Sequence, residues 1–357
     1  MGKQNRMLTN VKPAELLDGL TLDGGWKVIR RIQKSSKDSG GLFSVSYIVE
    51  NADGQQGFLK ALDYSRAFAS PDPARVLQAL TESYNFERDL LHACRDHHMD
   101  KVVIAITDGS IPVGDSTNPS VVQYIIFELA QGNVRSQVRE DQTFDLAWSL
   151  RALHHIAIGI SQLHGKGIAH QDLKPSNVLV FNKLISKLGD LGRAALRGQT
   201  PPHERYTIPG DHTYAPVELL YGYINPDWYA RRMGADAYLM GSMVVFFFTG
   251  VGATVLTQKH LPDQFKWTVW TGSYEEVLPY IRNAFELALE EFGNIVHPDL
   301  RIDLIQVVRE LCEPNPALRG HPKDRSVSAS QYSMERYITK FDVLASRAQL
   351  GFVGSRK

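Results

Sequence analysis

His170-Gln171-Asp172-Leu173-Lys174-Pro175-Ser176-Asn177, followed after a short run by Lys187-Leu188-Gly189-Asp190-Leu191-Gly192, is the stretch on which the reading of this chain turns. Phosphoryl transfer from a metal nucleotide needs a group to accept a hydroxyl proton, oxygen ligands for a phosphate-bridging cation, and a positive charge on the transferring group. Asp172, Asn177, Asp190 and Lys174 are residues of those types. Hard oxygen donors suit Mg²⁺, which keeps waters and substrate phosphates in its shell and so asks little of the protein. A lone Asp or Asn ahead of Val178-Leu179-Val180 would be a turn residue leading into a strand. Two such motifs about one hairpin apart point to a site instead.

The first motif resembles the catalytic loop of the eukaryotic-like (Hanks-type) serine/threonine protein kinase superfamily, and Asp190-Leu191-Gly192 resembles its metal-binding triplet. The chain is identified as a divergent member, with the similarity running over roughly residues 26–345. The resemblance implies an α+β, bilobal fold: a small, mainly antiparallel β lobe with one helix, and a larger, mainly helical lobe. It also implies ATP with Mg²⁺, or Mn²⁺, as cofactors. Asp172 would orient and deprotonate the substrate hydroxyl, Lys174 would neutralise the γ-phosphate, and Asn177 and Asp190 would bind the metal. Leu179 is placed among the nucleotide-contacting residues.

With 357 residues the chain exceeds the usual size of a single core, so two lobes are expected. The implied boundaries are an extension over 1–25, a small lobe over 26–128, a large lobe over 129–345 and a tail over 346–357. Lysine plus arginine equal aspartate plus glutamate at 39 each, so no charge excess points to nucleic acid or an anionic membrane. Cys94 and Cys312 belong to no metal-ligand spacing, and a reducing, cytoplasmic setting is expected. The first residues, MGKQNRMLTN, lack the apolar core of a secretory signal, and Arg6 breaks a myristoylation motif. Residues 237–258 carry no charge and are about long enough to span a bilayer. The preferred alternative is a buried central helix of the large lobe, opened by Asp236 and closed by Gly250.

From Trp26 the runs WKVIRRI, FSVSYIVE and GFLKAL, separated by turn residues, read as an antiparallel sheet. Ser39-Gly40-Gly41-Leu42-Phe43-Ser44 stands where a kinase has its phosphate-covering glycine loop. Of the family's glycines Gly41 remains, with Ser39 and Ser44 at the flanking places. Lys60 resembles the strand lysine that holds the α- and β-phosphates, and Glu87, one helical turn before Leu91, is its expected partner; Glu82 would point elsewhere. Phe58 replaces the small residue that packs on adenine, so either it stacks on the base or the pocket is partly filled. YIIFELAQGN resembles strand five and the hinge, which implies Phe127 at the back of the pocket and the backbone of Glu128 and Ala130 on the adenine edge. A long helix through FDLAWSLRALHHIAIGISQLHGKG follows, in which His154, His155 and His164 read as ordinary positions.

The activation segment would run over residues 190–218, with Glu218 closing it and pairing with Arg319. Asp211 stands where serine/threonine kinases carry a substrate-loop threonine. Gln171 replaces the arginine to which a loop phosphate docks, so phosphorylation of Thr200, Tyr206 or Thr207 is expected to be a weak switch unless Arg193, Arg197 or Arg205 substitutes. Lys174-Pro175 resembles the serine/threonine form and protein substrates are expected. A kinase of a small-molecule hydroxyl, or a kinase-shaped scaffold without turnover, stays open as an alternative.

Overall fold

In the computed structural model, residues 12–33, 44–65, 67–114, 120–140, 145–326 and 331–351 are described. Gly41 and Ser39 lie outside them. The chain divides into two compact units, Met1–Arg95 with Ile104–Leu129, and Asp96–Val103 with Ala130–Lys357.

The first unit contains β1 (Lys27–Arg31), β2 (Ser44–Glu50), β3 (Gln56–Leu62), α1 (Pro73–Asp96), β4 (Ala105–Val113) and β5 (Ser120–Glu128). The strands form one antiparallel sheet in the order β1-β2-β3-β5-β4. Alternation along β3 assigns its two faces. Gly57, Leu59 and Ala61 are buried, while Phe58, Lys60 and Leu62 stand on the other side. The buried face joins Val45, Tyr47, Val49, Tyr124 and Ile126 in a core that the segment preceding β1 covers with Ala14, Leu17, Leu22 and Trp26. Burial of this apolar area is the main stabilising contribution. The Tyr47 hydroxyl donates to the Ala14 carbonyl at 2.7 Å, and Lys12 pairs with Asp63 at 3.0 Å.

The second unit runs through β6 (Gly132–Asn133), α2 (Val134–Glu140), α3 (Leu146–His164), β7 (Ile168–Ala169), β8 (Val178–Phe181), β9 (Ile185–Leu188), β10 (Ala195–Leu196), α4 (Val217–Leu220), α5 (Trp228–Thr249), α6 (Ala253–His260), α7 (Tyr274–Ile295), α8 (Pro298–Leu311), α9 (Pro322–Arg325) and α10 (Glu335–Gln349). Asp145 caps α3 by accepting from the Trp148 N–H, and a Ser273–Glu276 capping box starts α7. Residues 96–103 belong here because Val103 N–H donates to Leu188 O and Leu188 N–H to Lys101 O, both at 2.8 Å. α10 packs on α3, with Arg151 paired to Asp342 and His154 hydrogen-bonded to the Ile338 carbonyl.

The uncharged run covers the second half of α5 and, past Gly250, most of α6; α5 is buried continuously from Arg232 to Phe247. A helix apolar all round belongs in a core. Its start corrects the sequence reading: Asp236 does not open the helix. Asp227 caps it nine residues earlier, accepting from the Ala230 N–H at 2.8 Å, and Asp236 is an interior, fully buried residue. Gly250 does close it, in the left-handed conformation at φ 77°. No single described helix is long and apolar enough to cross a membrane; α5 and α6 pass that test jointly but are bent by 77°.

Candidate functional site

On the first unit, the candidate groups sit on the sheet face away from the core just described. Lys60 is opposite Ser46 and Ile125, and Ile125 is in turn opposite Asp108, so these side chains share that face. α1 is tied to it by two polar links. The Lys60 ammonium lies 2.8 and 2.9 Å from the two oxygens of Glu87, and His92 meets Asp108 at 2.6 Å. Glu87 is buried and Lys60 half-buried, which makes the pair more than a screened surface contact. The competing acid, Glu82, is exposed and accepts from Gln78. Phe58 lies on the same face as Lys60, directly opposite Phe127, with ring centroids 6.3 Å apart. Glu128 clasps Ile104: its N–H donates to the Ile104 carbonyl at 3.1 Å, and its carboxylate accepts the Ile104 N–H at 2.8 Å.

On the second unit, the loop between β7 and β8 gathers the polar groups. Asp172 is buried and held on both oxygens. Oδ1 accepts from the Asp211 N–H at 3.0 Å and from Lys174 at 3.2 Å, while Oδ2 accepts from Asn177 Nδ2 and from Lys174, both at 3.0 Å. Burial pushes the Asp172 carboxyl above its ordinary range; the Lys174 charge pulls it back and the Asp190 charge adds to the rise. Nδ2 of Asn177 also donates to the Asp172 carbonyl at 2.8 Å, which leaves the amide oxygen as the atom of Asn177 able to ligate a cation. Gly210 must be a glycine here, because a Cβ would stand 2.6 Å from Asp172 Oδ1 and 2.7 Å from the Gln171 carbonyl.

Asp190 follows β9, exposed, in the left-handed conformation at φ 59°. That backbone is uncommon for a side-chain-bearing residue and has to be held by its neighbours. Gly189 N–H donates to the Asn177 carbonyl at 2.8 Å, and His170 Nε2–H donates to the Gly189 carbonyl at 3.1 Å. The two candidate metal donors are thereby tied through Gly189. Half-buried Leu179 packs on the same glycine. Among the described residues no three His, Cys, Asp or Glu side chains converge as a metal site. A cation held by Asn177 and Asp190 would therefore complete its shell with phosphate and water, the habit of Mg²⁺.

The anchor beneath this loop is Asp236. Its Oδ2 accepts from the His170 N–H at 2.6 Å and from His164 at 2.9 Å; its Oδ1 accepts from the Gln171 N–H at 2.8 Å. Complete burial opposes its charge, yet the His164 hydrogen bond, the His164 and His170 charges and the Gln171 N–H hold the carboxyl below its ordinary range. At the far end of the segment, Glu218 and fully buried Arg319 form a bidentate pair, 2.8 Å on each arm.

A family model described as the protein kinase domain matches residues 40–323. The chain belongs to the protein kinase family. Aurora/IPL1-related protein kinase 2 of Caenorhabditis briggsae is similar at 28% identity over 128 residues, 36% of this chain and 39% of that protein. Receptor-interacting serine/threonine-protein kinase 1 of Homo sapiens shows 26% identity over 167 residues, 46% of this chain and 22% of that protein. U-box domain-containing protein 51 of Arabidopsis thaliana shows 25% over 260 residues, 66% and 30%. The chain thus spans well under half the length of each of these relatives.

Within this protein kinase domain, Lys60 and Glu87 meet on one unit, and Asp172, Lys174, Asn177 and Asp190 cluster on the other. Glu128 falls in the first unit and Ala130 in the second. Three residues carry more than the sequence signalled. His164, read as an ordinary helix position, supports Asp236. Gln171 adopts φ 66° and is engaged by Arg232, a residue of α5. The segment arginines turn to aromatic rings instead: Arg193 and Arg205 lie 5.8 and 5.0 Å from the centroid of Tyr206, and Arg197 lies 4.8 Å from that of Tyr229. Arg232 stands 61 positions beyond Gln171, so no local spacing could have paired them.

Proposed function

We propose that this chain is a serine/threonine protein kinase that transfers the γ-phosphoryl group of ATP to a protein hydroxyl. The observation that carries the reading is the Asp172 carboxylate, fixed by Asn177, Lys174 and the Asp211 amide and lifted toward basicity by burial. Asp172 orients the hydroxyl and takes its proton, and Lys174 is the cation available to the transferring group. Asn177 and Asp190 would hold Mg²⁺, or Mn²⁺, which supplies charge neutralisation on the phosphates. Lys60, oriented by Glu87, is the candidate for the α- and β-phosphates, as Gly41 is for the covering loop. The Lys174-Pro175 sequence and the name of the Homo sapiens relative support serine and threonine as acceptors. The free thiols of Cys94 and Cys312 support a reducing, cytoplasmic setting.

The test is the full chain with labelled Mg-ATP, offered serine/threonine peptides, tyrosine peptides and a small-molecule pool. Label on serine or threonine that vanishes in Asp172→Asn, by ~10²–10⁴ in rate, supports the assignment. Asp190→Asn should instead weaken Mg²⁺-dependent nucleotide binding. Transfer confined to small molecules, or normal activity in both variants, would sink it. A second reading, a kinase-shaped binding module, is favoured by Phe58 beside Phe127 on the Lys60 face; no thermal shift on titration with Mg-ATP would support that one.

A further inference from the structure

The residue immediately before Asp172 is held in a conformation that costs energy. Gln171 at φ 66° is a side-chain-bearing residue in left-handed backbone, a strain that persists only where neighbours over-determine it. Its amide Nε2 donates to the Arg232 carbonyl at 2.8 Å and to Asp236 Oδ1 at 3.2 Å, and its Oε1 accepts from Arg232 Nη1 at 3.2 Å. Asp236 already binds three other donors, so the added restraint on the Gln171 side chain comes from both ends of Arg232.

Arg232 is itself buried, 3% exposed, and a guanidinium there needs a partner of opposite charge. Glu204 supplies it. One carboxylate oxygen of Glu204 pairs with Arg232 Nη2, and the other lies 2.7 Å from Arg231 Nη1. Glu204 belongs to the segment between Asp190 and Glu218, and its side chain stays 37% exposed, so it joins the surface of that segment to a buried cation. Its neighbour His203 adds no charge to the cluster, since burial and the nearby Arg193 and Arg232 push its pKa down to about 4. Contacts run without a break from Glu204 through Arg232 and Gln171 to the backbone of Asp172.

We propose that Glu204 and Arg232 are positioning residues for phosphoryl transfer: a built-in carboxylate that locks the activation segment onto the catalytic loop and holds Asp172 ready with no phosphate on the segment. The proposal rests on the kinase reading above and deepens it to how that site is kept active. A carboxylate that bridges two arginines makes charge-assisted hydrogen bonds of the kind a phosphate would make, with less charge but without a second enzyme. The glutamine at 171 is then no defect. It is a neutral coupler that offers an anion no charge, its amide N–H groups being spent on Arg232 and Asp236.

The test uses full-length protein after exhaustive phosphatase treatment. Dephosphorylated wild type should keep its initial rate on a serine/threonine peptide within about twofold. Glu204→Gln, isosteric and surface-linked, should lose at least about tenfold in kcat, ~1.4 kcal/mol of barrier, with the midpoint of Mg-ATP binding unchanged, because Lys60, Asn177 and Asp190 are untouched. Arg232→Met should fall in the same way, and the double variant should be no worse than Arg232→Met alone. Should Arg232→Met not fold, Glu204→Gln decides. Hydrogen exchange provides a readout that does not need turnover: amides of residues 168–177 should lose protection in Glu204→Gln. Unchanged kcat and unchanged protection in Glu204→Gln would overturn the proposal, as would a tenfold loss in dephosphorylated wild type that rephosphorylation restores. If wild type transfers no phosphate, the kinase reading fails. The exchange result then stands alone, loss of protection supporting the lock and retained protection refuting it.

Discussion

Arg319→Met should be among the most destabilising single changes in this protein. Arg319 is 0% exposed and meets Glu218 through two 2.8 Å arms; it also donates to the carbonyls of Gly234 at 3.0 Å and Glu313 at 3.1 Å, and its guanidinium lies 5.0 Å from the Tyr238 centroid. Burial alone would lower the Arg319 pKa, but the Glu218 carboxylate raises it above the ordinary value, which marks a charge that the fold prefers to keep. Methionine fills much of the volume but leaves a buried carboxylate without its cation, a loss of ~3–5 kcal/mol. The two carbonyls that lose their donor place the expected value at the upper end of that range. At roughly 2–4 °C per kcal/mol for a unit of this size, the melting temperature should drop by about 10 °C or more. Four of the five tryptophans, Trp148, Trp228, Trp267 and Trp270, lie in the second unit, so intrinsic fluorescence in a urea titration reports the relevant transition. The double variant Glu218→Leu/Arg319→Met removes both charges and should be less damaged than the sum of its parts by at least ~1.5 kcal/mol. A loss under ~1 kcal/mol in Arg319→Met, or additivity in the cycle, would show that the pair is not the structural clamp its geometry indicates.

Lys60→Met and Glu87→Gln should each lower phosphoryl transfer, with the double variant no worse than Lys60→Met alone; a double equal to the product of the singles means the residues do not act as a pair. Gly210→Ala should cut kcat and destabilise the second unit, since its methyl would press on the Asp172 carboxylate and the Gln171 carbonyl; activity equal to wild type would count against that close approach. For pH, burial pushes both His155, beside Lys101, and His203, beside Arg193, down to about 4, so they are neutral in the fold at pH values where an unfolded histidine binds a proton. The unfolded chain takes up more protons, and stability is lost as pH falls from about 6.5 toward 4. His203→Gln should flatten the melting temperature between pH 7 and pH 5, and an unchanged slope would argue against a buried neutral ring.

Much of the fold was legible because it rests on short-range pattern. Short β-rich runs such as GFLKAL marked the strands of the antiparallel sheet, helical spacing chose Glu87 over Glu82, and Gly250 marked the end of α5 by the need for a left-handed residue. Asp236 shows where such reading stops. An aspartate ahead of a long uncharged run has the look of a helix cap, yet it is an interior residue whose partners, His164, His170 and Gln171, lie 65–72 positions away. A cap is a local event between residues three apart; a buried hub depends on which distant backbone amides the packed core delivers to it.

The sequence by itself therefore determined the family and the order of the elements, and it named the residues of the candidate site, since these follow from motif spacing and hydrophobic period. Tertiary structure alone decided what holds those residues in place: Asp236 under the loop, Arg232 and Glu204 behind Gln171, and the Asp211 amide on Asp172. The reason is energetic. A buried carboxylate, guanidinium or strained backbone is tolerable only with a complete set of partners, and that set is assembled by packing segments far apart in the chain.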